Sequence, residues 1–453
     1  RSMNAELQQP RPSRLEAFKR ALDEGTMRQV HRLVNSMHPA EVASLLESLP
    51  PAQRELVWDL VDPEIEGDVL VELNEEVRGD LIREMEADEL VAAAEGLEVD
   101  DLADLLADLP EAVNQRVLRS MDSQDRERLN VVLAYDADTA GGLMNTDTVS
   151  VRPDVTLETV LRYLRMRGEI PEKTDSLFVV NRHDGYLGTL NLARLLTEDP
   201  DQTVGEVMSA ETEGIAPETP VSQVASLFQD RDLLSAPVVS PDGRLLGRIT
   251  VDDVVDVIRD EADHSVMSMA GLDEDADMFA GVVPSARRRG LWLGVNLATA
   301  FLAAWVVGLF ETTIQNIVAL AVLMPIVASM GGVAATQTLT LIVRGLALGQ
   351  VERTNARWLM TKEFAVALLN GLAWATVVAI VAMLWFRSWK ISAVIFAAMV
   401  VNLVAAALAG VAVPLVLKRF GVDPAMAGGV IVTTVTDVVG FASLLGLGTL
   451  VLM

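Results

Sequence analysis

Downstream of Pro284 the chain holds five stretches long and apolar enough to cross a bilayer: Leu291–Phe310, Ile317–Val343, Phe364–Phe386, Ile391–Leu417 and Met426–Met453. Each reaches the ~20 apolar residues that a helix needs to span the hydrocarbon layer. In lipid every backbone amide must find its partner inside the segment, so this half must be a bundle of helices. The second stretch is polar at its middle, and Pro325 with the Gly331–Gly332 pair predicts a kink or a break there. Lys and Arg in the short connections set the orientation. Nine of them (Arg287, Arg288, Arg289, Arg344, Arg353, Arg357, Lys362, Lys418 and Arg419) fall on one side, against Arg387 and Lys390 on the other. The N-terminus is therefore expected in the cytoplasm and the C-terminus outside.

Between Ala425 and Met453 the only charged residue is Asp437, in "TTVTDVVGF" (433–441). A carboxylate at bilayer depth is costly and marks either an ion path or a buried structural partner such as Asn402 or a Thr. The neighbouring hydroxyls say less, because Thr in a membrane helix commonly bonds back to its own backbone. Five spans enclose little volume alone. A symmetric dimer with one Asp437 from each chain near the axis would bring two carboxylates together, and a divalent cation would relieve their repulsion.

Charge is divided as unevenly as hydropathy. From Ser285 onward there are 11 Lys/Arg against five Asp/Glu, a net of +6, while residues 1–284 carry 25 against 59, a net of −34. An acidic front half argues against nucleic acid as a partner and for cations, although solubility alone would also account for it. The chain has no Cys, so disulfides and thiolate metal sites are excluded. Arg1 and Ser2 precede the first methionine, Met3, and are expected to be an expression scar on a flexible N-terminus (1–15). No signal-peptide pattern follows, so the front half is expected in the cytoplasm.

Two organisations are legible before Pro284. "MHPAEVASLLESLPPAQRELVWDLVD" (37–62) and "LEVDDLADLLADLPEAVNQRVLRSMD" (97–122) align without a gap at an offset of 60, with "LNEEVRGDLIREMEADELVAA" a degenerate copy between them. Helical spacing with Pro at the breaks predicts a short α-helical superhelical repeat over 16–135. Next, "SLFVVNRHDGYLGTLNLARLL" (176–196) and "SAPVVSPDGRLLGRITVDDVVDVI" (235–258) each read as strand, Asp-Gly turn, strand, helix. This doubled α/β pattern resembles a CBS-domain pair, over 136–205 and 206–251. The signature G-h-h-[ST]-x-x-D is met in the second copy by Gly247, Ile249, Thr250 and Asp253, with Arg248 at a position expected to be apolar. The first copy has Gly188 and Asn191 but Arg194 in place of the Asp. The resemblance implies that Thr250 and Asp253 could hold ATP or another adenine nucleotide.

The connecting segment 252–284 starts within "VDDVVDVIRDEADHSVM" (251–267), a helix whose Asp252, Asp256 and Asp260 stack on one face beside Asp253, Glu261 and Asp263. Asp100, Asp104 and Asp108, with Asp101, repeat that geometry in the helical repeat. Like charges at i, i+4 cost a helix a few tenths of a kcal/mol per pair. Either these faces are simply solvated, or bound Mg2+ offsets the repulsion and joins one to another.

In this order, an acidic helical repeat, an α/β CBS pair, an acidic connecting helix and five all-α transmembrane spans (285–453) ending in T-x-x-D resemble the MgtE family of magnesium channels. The most specific pieces are "YDADTAGGLM" (135–144), "TVDDVVDVI" (250–258), "QTLTLIVRGLALG" (337–349) and "GVDPAMAGGVIVTTVTD" (421–437). The resemblance implies a homodimer of the bacterial inner membrane that conducts Mg2+ inward, without enzymatic activity. It makes Asp437 the pore carboxylate, with the Thr433 carbonyl one turn nearer the cytoplasm and Asp423 at the pore mouth. It makes the acidic helix a plug that cytosolic Mg2+ locks shut, with Asp253, Asp256 and Glu261 as plug ligands. Asp100 and Asp104 become their counterparts in the repeat, and Asp68, Gly142 and Asp232 are further candidates by position. In span 2 the family's Gly-Asn-x-Gly-[Asn/Thr]-Gln run reads Gly332-Val333-Ala334-Ala335-Thr336-Gln337, which is expected to alter conductance or ion preference rather than fold. His264 stands where some relatives have an acid. An ion-coupled secondary transporter, or a membrane-tethered CBS nucleotide sensor, are the competing functions.

Overall fold

A computed structural model of the chain describes residues 27–272, 276–351 and 354–453. The expected N-terminal scar and flexible start lie outside the described residues. The chain divides into two compact units: residues 1–260 with 275–281, and residues 261–274 with 282–453.

In the first unit the repeat forms as short helices because apolar residues recur at helical spacing and Pro or a capping side chain restarts each one. They are α1 (Met27–Val34), α2 (Pro39–Glu47), α3 (Pro51–Trp58), α4 (Glu66–Val71), α5 (Glu75–Glu84), α6 (Ala87–Ala94), α7 (Val99–Asp108), α8 (Glu111–Ser120) and α9 (Ser123–Val132). The 60-residue offset carries the α2–α3 pair onto α7–α8, with Pro50 and Pro110 as equivalent N-cap residues. Leu45, Leu46 and Leu49 are buried, as are Leu105, Leu106 and Leu109. The degenerate middle copy is α5–α6, where the Asn74 side chain caps by accepting from the Val77 amide at 3.0 Å.

One buried ion pair in this unit was not legible from spacing. Arg54, 2% exposed, donates from Nε to the Leu46 carbonyl (3.1 Å) and from Nη2 to the Leu49 carbonyl (3.1 Å). It thereby adds a side-chain donor to carbonyls at and just past the end of α2. The same Nη2 lies 2.8 Å from Asp277 Oδ2, and the Asp277 amide donates to Glu76 Oε2 at 2.6 Å. Asp277→Ala strands the guanidinium without its counter-charge. It is expected to cost the first unit about 3–5 kcal/mol, read as a lower midpoint in chemical unfolding. Arg54→Met combined with Asp277→Leu should recover most of that loss, since no buried charge is left unpaired.

The CBS pair follows. β1 (Ser150–Val151) precedes α10 (Leu157–Arg167), β2 (Ser176–Val180), β3 (Tyr186–Asn191), α11 (Leu192–Thr197) and α12 (Val204–Val207). The second copy contains α13 (Val221–Arg231), β4 (Ser235–Val239) and β5 (Leu245–Thr250). β1 runs parallel to β2, β2 pairs antiparallel with β3 (Phe178 opposite Thr189), and β4 pairs antiparallel with β5 (Val238 opposite Gly247). The Asp-Gly turns place Asp184 (φ 59°) and Gly243 (φ 79°) in the left-handed region. The stretch 139–145 reaches back to the second copy, where the Asn145 and Arg248 backbones exchange both hydrogen bonds. A Cβ on Gly247 would sit 2.7 Å from the Asn145 carbonyl oxygen, so this close approach needs glycine. Arg248, at a position expected to be apolar, is buried but donates to Thr174 Oγ1 (3.1 Å) and to the Glu172 carbonyl (2.6 Å). Arg194, in place of the first-copy Asp, donates to the Val207 carbonyl at 2.8 Å.

α14 (Val251–Met269) is the expected acidic helix; it belongs to the first unit up to Asp260 and to the second from Glu261. The second unit then holds α15 (Val282–Gly308), a short α16 (Glu311–Asn316), α17 (Val318–Ala347), α18 (Ala356–Phe386), α19 (Trp389–Arg419) and α20 (Pro424–Leu452). Five of these, α15 and α17 to α20, are long and apolar enough to cross a membrane, and are spans 1 to 5. Their bounds exceed the apolar stretches because a helix continues past the lipid. α18, with 31 residues, is roughly 46 Å long against a hydrocarbon layer of ~30 Å. Of the kink or break expected in span 2, the break does not occur: α17 is one helix with Pro325 inside it. Proline removes a single intrahelical donor, and packed neighbours make that tolerable. Span 4 is the most enclosed of the five, and span 5 packs against spans 1, 2 and 4.

Candidate functional site

Two groups of predicted residues can be followed, one in each unit. In the first unit, Asp100 at the start of α7 is 9% exposed. The Asn145 amide nitrogen donates both to Asp100 Oδ1 (3.2 Å) and to Glu98 Oε2 (2.8 Å). Asp253 on the first turn of α14 accepts from the Thr250 amide (3.1 Å) and hydroxyl (2.8 Å). The signature Thr and Asp therefore also close the start of their own helix.

Asp253 and Asp100 act on each other electrostatically. Burial, then the charges of Asp253, Asp101 and Glu98, push Asp100 up to about 8. Burial, then Glu98, Asp253 and Asp104, push Asp101 up to about 7. Burial, then Asp252, push Asp253 up to about 6. Asp252 is the exception: burial would raise it, but the bonded Lys173 ammonium and the Thr250 hydroxyl bring it below the usual carboxylate range. Further along α14, Asp256 lies within electrostatic reach of Glu72. The cluster thus has more negative charge than Lys173 balances.

Asp104 on α7 joins the cluster at its edge: burial raises it, and its charge helps to raise Asp101. Other candidates are not brought into it. Asp68 on α4 and Glu261 on α14 are exposed. Asp232 is the left-handed C-cap of α13 (φ 51°). Gly142 is buried, and a Cβ there would lie 2.5 Å from the Asp136 carbonyl oxygen, so close packing already accounts for glycine. Asp101 belongs to the acidic set read from the sequence, whereas sequence reasoning missed Glu98, Asn145 and Lys173 as members of the cluster. Asn145 directly follows the "YDADTAGGLM" stretch, but nothing in spacing shows where its side chain goes. Among the described residues no three His, Asp or Glu side chains converge as a bare metal's coordination shell requires. An all-oxygen, over-charged and loosely gathered set fits a hydrated Mg2+, which gives up its waters reluctantly.

In the second unit, span 5 turns one face inward at four-residue intervals: Gly428, Val432, Thr436, Gly440, Leu444 and Gly448. Glycine is used for close approach. A Cβ at Gly428 would meet Leu339 at 2.9 Å and one at Gly448 would meet Leu320 at 2.4 Å, both on span 2. Asp437 lies beside this face, half-buried, with no hydrogen-bond or ion-pair partner among the described residues. Asn402 is not its partner; it donates to the Val327 carbonyl instead. The hydroxyls behave as expected for membrane helices, Thr433 bonding to the Gly429 carbonyl (2.9 Å) and Thr434 to that of Val430 (2.6 Å). The Thr433 carbonyl, inside the helix, also accepts from the Thr436 hydroxyl at 2.9 Å. Asp423 caps span 5, accepting from the Ala425 and Met426 amides at 2.9 Å each. Its Oδ2 also lies 3.5 Å from His264 Nε2.

Span 2 sorts its polar residues between two faces. Ser329, Gly332, Val333, Thr336, Gln337 and Thr340 line an open groove of about 670 Å³. Thr338 is buried instead and donates to Glu363 Oε2 at 3.4 Å. Glu363, expected just before span 3, is inside its helix, 6% exposed, and 2.8 Å from Lys362 Nζ.

Comparison with known proteins decides the family. A model described as "Divalent cation transporter" (MgtE) matches residues 324–447, the "MgtE intracellular N domain" model matches 37–138, and the CBS-domain model matches 140–201 and 204–260. The magnesium transporter MgtE of Thermus thermophilus is 30% identical over 441 residues, covering 96% of this chain and 98% of that protein. The chain belongs to the MgtE family. The magnesium transporter MgtE of Bacillus subtilis is 26% identical over 94% of this chain and 95% of its own length. A crystal structure of the cytosolic domain of the Mg2+ channel MgtE in complex with ATP is 32% identical, with a TM-score of 0.49. It covers 54% of this chain and 99% of that one. As an MgtE family member the chain is a multi-pass membrane protein with a helical N domain and a CBS pair. Of its two span 2 departures, Val333 stands in the open groove and Ala335 is fully buried.

Proposed function

We propose that this chain carries Mg2+ inward across the bacterial inner membrane as a homodimeric channel, and that cytosolic Mg2+ closes it. The observation that carries the reading is Asp437: a carboxylate in the last span, half-buried and without a partner among the described residues. A second copy would pair it with its like, and a hydrated divalent cation between the two would remove the repulsion. The Thr433 carbonyl would form the next station toward the cytoplasm and Asp423 the pore mouth. The polar groove on span 2 supports the dimer, because polar side chains facing lipid are disfavoured and these would face a partner or water. Nine Lys/Arg against two support a cytoplasmic N-terminus.

Closure would use the over-charged cluster. Mg2+ held by Asp100, Asp101 and Asp253, and by Asp256 with Glu261 farther along α14, would offset their repulsion and fix the acidic helix as a plug. Asp104, Asp68, Asp232 and the Gly142 carbonyl would serve as outer contacts through water. An adenine nucleotide is a second ligand for the CBS pair, at Thr250 and Asp253; Arg194 argues against an equivalent first-copy site.

Uptake into proteoliposomes tests the transport reading against its rival. With voltage clamped by a K+ gradient and valinomycin, an uncoupler should leave Mg2+ uptake unchanged. Collapse of uptake under that treatment would instead make Asp437 a proton relay in a coupled carrier.

A further inference from the structure

The amide of Asn402 in span 4 lies where three spans meet. The residue is 0% exposed, and its Nδ2 donates to the Val327 carbonyl of span 2 at 2.8 Å. Two glycines make room for it. A Cβ at Gly331 of span 2 would sit 2.2 Å from Nδ2, and one at Gly440 of span 5 would sit 2.8 Å from the same atom. Oδ1 is buried with no hydrogen-bond partner among the described residues, so this polar group is retained at a cost that an apolar side chain would avoid. Gly440 is three residues, about one turn, from Asp437. Gly331 adjoins Gly332, which lines the polar groove on span 2.

We infer that Asn402 is a positioning residue that pins span 5 against span 2 at the level of Asp437, and so sets the width at which the path discriminates among cations. The inference rests on the reading of Asp437 as the pore carboxylate. A side chain that only filled space between helices would be Leu or Ala, as elsewhere along span 4. A hydrogen bond to a backbone carbonyl fixes axial register as well as distance. The two glycines mean that neither partner helix can shift by a residue without a clash.

The test uses the full chain in proteoliposomes, comparing Mg2+ with Ca2+ uptake for wild type, Asn402→Ala, Gly440→Ala and the double variant. Asn402→Ala should lower the Mg2+-to-Ca2+ ratio about tenfold, the worth of one buried hydrogen bond. Gly440→Ala should do the same, and the double variant should not recover, because relieving the clash does not restore the bond. Recovery in the double variant, or an unchanged ratio in Asn402→Ala, would overturn the inference and leave Asn402 as filler. A second measurement does not depend on transport. The chain has no Cys, so spin labels at Leu348→Cys and Met426→Cys report the separation of spans 2 and 5. That distance distribution should shift or broaden in Asn402→Ala, and an unchanged distribution would count against the pin. If wild type takes up no Mg2+ while the label distance still responds, the transport reading fails and the pin stands.

Discussion

Replacing Asp437 by Ala or Asn should reduce Mg2+ uptake about 100-fold or more, with the protein still reaching the membrane. At 4 Å and an effective dielectric near 20, one unit charge contributes about 4 kcal/mol to holding another, which is roughly a thousandfold in occupancy. In the proposed dimer a divalent ion behind one water layer would see each of two facing carboxylates at a somewhat greater distance, hence the lower figure. Asn keeps the volume and hydrogen-bonding reach of the side chain, so loss in both variants assigns the effect to charge. Asp437→Glu is a different case and should retain part of the flux with altered preference, because the charge is kept and the geometry is not. Near-wild-type uptake in Asp437→Asn, measured by Mg2+ influx into dye-loaded vesicles, would remove Asp437 from the ion path.

The second large effect is on closure. Asp253→Ala combined with Asp100→Ala should shift the Mg2+ concentration that protects α14 from protease upward by about tenfold or more in the full-length protein. The same cluster fixes the pH dependence. Asp100 is pushed up to about 8, Asp101 to about 7 and Asp253 to about 6. Below the ordinary carboxylate range these groups are protonated whether the cluster is gathered or apart, and they contribute no penalty. As pH climbs from there to about 8 the gathered cluster ionises against its own repulsion, and its stability without Mg2+ falls across that window. Protons and Mg2+ therefore compete. Protection without Mg2+ should be stronger at pH 6 than at pH 8, and the Mg2+ midpoint should be lower at pH 8. Asp100→Asn should flatten both trends, since it removes the most strongly raised group. Protection that ignores both Mg2+ and pH would mean that the acidic faces are merely solvated.

The parts of this molecule that were legible beforehand are those governed by period. The 60-residue offset located α2–α3 and α7–α8, the Asp-Gly turns located β2–β3 and β4–β5, and apolar length located five spans. Family resemblance and the lone charge at Asp437 pointed to the same residue by independent routes. What escaped was side-chain destination. Spacing put Asp100 and Asp104 on one face of α7, yet Asp100 is buried against Asn145 while Asp104 lies at the cluster's edge. Thr336 and Thr338 look alike in sequence and end on opposite sides of span 2. Asn402, weighed as a partner for Asp437, instead bonds to the Val327 carbonyl between two glycines. Pro325 and Gly331–Gly332 suggested a kink or a break because their effect on an isolated helix is unfavourable; the helix is unbroken, and Asn402 of span 4 packs against Gly331 there. Such outcomes depend on which helices meet, and one-dimensional periodicity carries no record of that.

Single-channel recording on excised patches, with Mg2+ varied on the cytoplasmic face, decides whether the chain is a channel that its own cargo closes. Discrete Mg2+-carried current steps are expected, with an open probability that falls as cytoplasmic Mg2+ rises into the millimolar range. In the Asp100→Ala, Asp253→Ala double variant the open probability should stay high over the same range. The absence of discrete steps, or an open probability indifferent to cytoplasmic Mg2+ in the wild-type chain, would contradict a Mg2+-closed channel.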